Sequence, residues 1–123
     1  MKKILIFTFL FISCYNVERN CVDFKTGVFE FSTEVNDSLV TSTFTRANEF
    51  EIESFNGIKD SSTIKWVNNC EFLLTKLNPR TNQERRPVRI KILRTYGDKY
   101  DFEFSQVNNP QKITRGTVKR SSK

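Results

Sequence analysis

The chain has no histidine, and so lacks both the commonest general base and the commonest metal ligand among side chains. Glycine and proline are scarce, four and three residues of 123. There is no glycine-rich phosphate loop, no nucleophile elbow and no metal-ligand spacing. No apolar run approaches the roughly 20 residues of a transmembrane helix, and no stretch of useful length has helical periodicity. These absences weigh against an enzyme, a metalloprotein and a helical membrane span. A chain of this size has room for one domain with a modest core.

Phenylalanine, by contrast, is abundant, with twelve residues. Aromatic and β-branched side chains suit half-buried strands, so the composition predicts an all-β core. The N-terminus follows the grammar of a secretory signal, with Met1-Lys2-Lys3 as a positive start and Ile4 to Ile12 as a short apolar run. Phe11-Ile12-Ser13-Cys14 then resembles a bacterial lipobox, departing from it at Phe11, where Leu or Val is usual. The expectation is that residues 1–13 are removed, that Cys14 becomes the first residue and carries covalent lipid, and that residues 14–20 form a tether. The plainer alternative is an ordinary cleaved signal that leaves Cys14 as a free thiol. A lipidated cysteine buries several tens of CH₂ groups at about 0.8 kcal/mol each, an effectively permanent anchor. Tyr15-Asn16-Val17-Glu18-Arg19 lacks the aspartate that retains lipoproteins in the inner membrane of enteric bacteria. That favours the periplasmic face of the outer membrane, with a soluble secreted or periplasmic protein as the alternative.

Cys21 and Cys70 remain, and in an oxidising compartment an even pair in a small domain reads as a disulfide. Two buried free thiols compete with it; a metal site would need more ligands than this chain offers.

Beyond Cys21 the chain alternates apolar and polar residues between turn signals. Gly27 to Ser32 places Phe29 and Phe31 on one face, and Ser38 to Arg46 is a threonine-rich strand. Asn48 to Ser54 predicts Phe50 and Ile52 inward with Glu49, Glu51 and Glu53 on a solvated outer face. Asn56-Gly57 and Lys59 to Ser62 read as a loop before a strand carrying Ile64 and Trp66. After the turn Asn68-Asn69, Cys70, Phe72 and Leu74 form the inward face of the return strand. Asn78 to Pro87 is the longest polar stretch, an exposed contact loop. Val88, Ile90 and Ile92 then pair, across a turn at Tyr96 to Lys99, with Tyr100, Phe102 and Phe104. Asn108-Asn109-Pro110 turns into a last basic strand, Ile113 to Arg120, before a loose tail at 121–123. About eight strands result, in a single domain over 21–120. They predict an antiparallel meander closed as a lipocalin-like small barrel, with a two-sheet sandwich as the alternative. The many inward aromatics predict a mostly filled interior.

Cys21-Val22-Asp23-Phe24-Lys25-Thr26-Gly27-Val28-Phe29, followed by Ile64-Lys65-Trp66 and Cys70-Glu71-Phe72-x-Leu74-Thr75, resembles a group of small lipoproteins from Bacteroidetes. The resemblance implies the compartment and the β fold and adds no chemistry. The label DNA topoisomerase IV, which some such chains carry, implies an ATPase domain, an acidic metal cluster and a tyrosine nucleophile in large domains, and this chain has none of that apparatus.

The formal charge of +6 includes Lys2 and Lys3, so the mature chain is only mildly basic. Arg80, Arg85, Arg86, Arg89, Lys91, Arg115 and Lys119 are the candidate partner-binding residues, one patch if the last strand lies near the loop. An exported domain meets no cellular nucleic acid, and its aromatics alternate inward. An envelope protein, acidic glycan or anionic lipid head groups are the expected partners, beside the membrane reached through the anchor; solubility charges are the plain alternative. Overall the sequence reads as a monomeric envelope lipoprotein without catalysis or cofactor, in a binding or structural role. A carrier of a small apolar ligand is the alternative, and an interior cavity of several hundred Å³ would favour it.

Overall fold

The computed structural model describes residues 19–122; the signal segment, Cys14 and the start of the tether lie outside the described residues. A single 3-10 turn, Cys21–Phe24, precedes eight strands: β1 (Gly27–Val35), β2 (Ser38–Arg46), β3 (Phe50–Phe55), β4 (Ile58–Asn68), β5 (Glu71–Lys76), β6 (Val88–Tyr96), β7 (Lys99–Gln106) and β8 (Asn109–Ser122). Each strand pairs antiparallel with the next, and β8 returns to pair with β1, so the sheet closes into a barrel. The lipocalin-like meander expected from the sequence is the observed fold, and the β1–β8 ladder excludes the sandwich.

The turns follow local chemistry. Asn36 and Asp37 both adopt positive φ, as do Asn56 and Gly57, the two-residue geometry whose twist matches that of paired strands. Asn56-Gly57 is sufficient to reverse the chain: β4 begins at Ile58, so Lys59 to Ser62 is strand, not loop. Pro110 lies at the start of β8 and not in a turn, and β8 runs through Ser121 and Ser122, where Ser122 pairs with Val28.

Up-and-down connectivity separates the two ends. The turns after β2, β4 and β6 lie with the 3-10 turn at one end; the turns after β1, β3 and β7 and the long loop 77–87 lie at the other. The first end is closed. Cys21 and Phe24 are buried among Phe29, Phe44, Ile92, Tyr100 and Val118. Phe24 meets Tyr100 edge-on at 5.2 Å between centroids, and Phe29 stacks on Phe44 at 5.3 Å. Halfway up, β8 carries Gly116, where a Cβ would fall 2.8 Å from the Phe31 ring and 3.0 Å from Phe102. The absent side chain lets those rings cross at 5.6 Å.

Cys21 and Cys70 form a disulfide across 49 residues. It staples the 3-10 turn over the barrel end, helped by Asn20 N donating to Thr95 Oγ1 at 2.7 Å. Closing a loop of this length stabilises the fold by about 4 kcal/mol in the chain-entropy model. The Cys21→Ser/Cys70→Ser variant is therefore expected to lose about that much stability in urea unfolding.

Candidate functional site: the barrel cavity

The half of the barrel away from the 3-10 turn is hollow, with a cavity of about 390 Å³. One wall is apolar, with Phe31 from β1, Leu74 from β5, Val88 and Ile90 from β6, Phe102 and Phe104 from β7. The other wall is polar, built from Ser42, Glu51, Glu53, Asp60 and Ser62 on β2–β4. The interior is thus filled at one end only. Ser42 and Ser62 stand at inward positions where the filled half has rings, and Phe50, counted among the inward aromatics, lies outside.

β3 is turned over relative to expectation. Glu51 and Glu53 face the cavity, while Phe50 and Ile52 are 47% and 44% exposed. The reason is Arg46, which ends β2 on the same face as Ser42 and Phe44 and is 2% exposed. Its Nε donates to Glu51 at 3.0 Å, Nη1 to the Phe24 carbonyl at 2.8 Å and Nη2 to the Tyr100 hydroxyl at 2.9 Å. The guanidinium lies 4.6–5.7 Å from the ring centres of Phe72, Phe29, Phe44 and Tyr100. A buried charge without a partner costs several kcal/mol, more than is lost by leaving two apolar side chains half exposed. Register on a strand has period two, so Glu51 inward forces Phe50 and Ile52 outward.

Burial works against the Arg46 charge, but Tyr100 and Glu51 outweigh it and hold the guanidinium charged. Burial pushes the Glu51 carboxyl above its ordinary range, with Arg46 opposing, and pushes the Tyr100 hydroxyl up as well. At the mouth, Lys76 Nζ reaches Asp60 at 2.9 Å and Glu84 at 3.2 Å; the Asp60 bond leads in holding the lysine above its ordinary range. Glu84 also accepts from Arg80 N at 2.6 Å, the leading cause of its lowered carboxyl. The loop 77–87 is thereby tied over the rim, and Gln83, Glu84 and Arg86 join the lining.

The candidate partner-binding residues do not form one patch. Arg80, Arg85 and Arg86 sit on the mouth loop. Arg89 and Lys91 lie on β6, Arg115 and Lys119 on β8, with β7 between them. Register places Glu71, Lys91, Glu103 and Arg115 side by side across β5–β8. Arg89 pairs with Glu71, and Arg115 with Glu103 at 3.7 Å. The alternating charges neutralise one another, and this outer face is charged where a membrane-spanning barrel carries an apolar belt. Among the described residues, no helix is long and apolar enough to cross a membrane. Cys21 and Cys70 are consumed in the disulfide, and Cys14 lies outside the described residues.

The residues that shape the cavity, Arg46, Glu51, Glu53, Asp60 and Lys76, were not singled out from the sequence as a site. The available signal was parity: Arg46 follows Ser42 and Phe44 on an inward-reading face.

A closed eight-stranded up-and-down barrel hollow at one end has the architecture of a small lipocalin-like barrel. None of the protein-family models, curated proteins or solved structures compared with the chain matches it.

Arg46→Met leaves the Glu51 carboxylate buried without a partner and is expected to cost about 3–5 kcal/mol in urea unfolding at neutral pH. Adding Glu51→Gln should restore about half of that or more. Because Glu51 holds its proton more tightly folded than unfolded, its contribution is full below the unfolded value of about 4.3 and is lost as pH rises through the folded value. The stability difference between wild type and Glu51→Gln should therefore fall as pH rises from about 4.3 toward neutrality, read as the gap between their urea midpoints.

Proposed function

We propose that this chain is an exported, non-catalytic binding protein that holds one small amphiphilic molecule inside its barrel and is kept at the envelope by lipid on Cys14. The cavity is the observation that supports it. Its volume of about 390 Å³ lies within the roughly 300–1,000 Å³ of small-molecule sites. A continuous apolar wall facing a few polar groups is also the usual composition of such sites. Arg46 and Lys76 are engaged by carboxylates, an arrangement suited to holding a molecule and not to transforming one.

The anchor fits the same polarity. Arg19 and Asn20 join the barrel at its closed end, where Arg19 Nε donates to the Leu93 carbonyl at 3.0 Å. A tether over 14–20 reaches about 25 Å at most, so lipid on Cys14 holds the closed end near the periplasmic face of the outer membrane and leaves the mouth free. Arg80, Arg85 and Arg86 at the mouth are then placed to meet an anionic partner.

Native mass spectrometry of protein extracted from its envelope tests both halves. The expected spectrum shows an acylated chain beginning at Cys14 with one small molecule bound, and Phe102→Arg, which puts a charge in the apolar wall, removes that molecule. An acylated chain that is always empty overturns the carrier; an unacylated chain with its ligand overturns the anchor.

A further inference from the structure

We propose that the molecule held in the barrel is a cation-bearing amphiphile, an alkyl or aryl amine and not a carboxylate, an inference that rests on the barrel being a carrier. A carboxylate in a cavity with an apolar wall needs an unengaged cation to meet it, and the two lining cations carried on strands, Arg46 and Lys76, are both engaged. The three directed bonds of Arg46 go to Glu51, Phe24 and Tyr100, and Lys76 lies between Asp60 and Glu84. The third lining cation, Arg86, makes no ion pair among the described residues, but it is exposed and sits on the mouth loop outside the strands.

The carboxylates are less fully matched. Glu51, Glu53, Asp60 and Glu84 line the cavity against Arg46, Lys76 and Arg86. Glu53 is exposed at the cavity wall and makes no ion pair among the described residues. It follows Glu51 at the next inward position of β3 and stands directly opposite Asp60 on β4. Like charges so placed repel, and Glu53 makes the Glu51 carboxylate harder to ionise. A ligand ammonium beside Glu53 relieves that repulsion, whereas a ligand carboxylate adds to it. Across the cavity, Phe31, Phe102 and Ile90 offer the surface for the apolar part. The polarity runs from wall to wall, so the ligand lies along the barrel axis with its amine toward β3. The hollow is the site, and the unmatched carboxylate selects its occupant.

The test is calorimetric titration of the purified full chain, at neutral pH, with decylamine, decanoate and decanol, each below its micelle concentration. Decylamine is expected to bind about tenfold more tightly than decanoate, and Glu53→Gln to reduce that ratio to about threefold or less. Equal affinities, tighter decanoate, or a ratio unmoved by Glu53→Gln overturns the ligand class while the carrier stands. Amine binding that survives Leu74→Trp, which fills the cavity, is adsorption to the outer surface and overturns it too. If none of the three binds saturably, the carrier fails and the ligand class with it.

Discussion

The guanidinium of Arg46 is the constraint around which the barrel is arranged. Placed by the alternation of β2 among four aromatic rings, it is beyond the reach of bulk water, and only an inward acid makes its charge tolerable. Glu51 is that acid. Its position decides which face of β3 is dry, sends Phe50 and Ile52 to the surface, and brings Glu53 into the cavity two residues further on. One buried charge therefore sets both the apolar exposure outside β3 and the acidic character of the wall within. The surrounding rings add cation–π attraction, and the Tyr100 hydroxyl accepts a hydrogen bond from Nη2.

The same arrangement gives the molecule a direction. Cys21, Phe24 and the disulfide to Cys70 close one end, and Arg46 with Tyr100 forms the floor above them. From the floor upward the inward residues of β2–β4 become serines and carboxylates, and a hollow remains. The closed end adjoins the segment leading back to Cys14; the open end carries the loop 77–87, fastened by Lys76 and Glu84. The barrel thus has one end that is plugged and one end that opens into its hollow. Over β5–β8 the outer face carries a ladder of alternating charges that largely neutralise one another.

Much of this architecture was legible in the chain. Alternation over Phe29 and Phe31, over Val88 to Ile92 and over Tyr100 to Phe104 fixed the inward faces of β1, β6 and β7, and the Asn-rich turns fixed where the chain reverses. The pair Cys21 and Cys70 was the natural bridge for an oxidising compartment. β3 was legible as a strand but not in its orientation. Period-two patterning reports that two faces differ, and it assigns the apolar one inward only because burial of apolar area normally dominates. Arg46 reverses that preference, and its depth in the barrel is a property of closure that no local window contains.

The amino-acid sequence by itself determined most of the strands and hairpin turns, because each depends on neighbours within about ten residues, and it offered one even cysteine pair, whose bridge spans 49 residues. Only the tertiary structure decided that the sheet closes, that acids line the cavity and that the basic residues of β6 and β8 are held apart by β7. Those outcomes depend on which residues meet across the barrel, where a buried charge must find its partner at long sequence separation and a missing side chain, as at Gly116, leaves room for two rings.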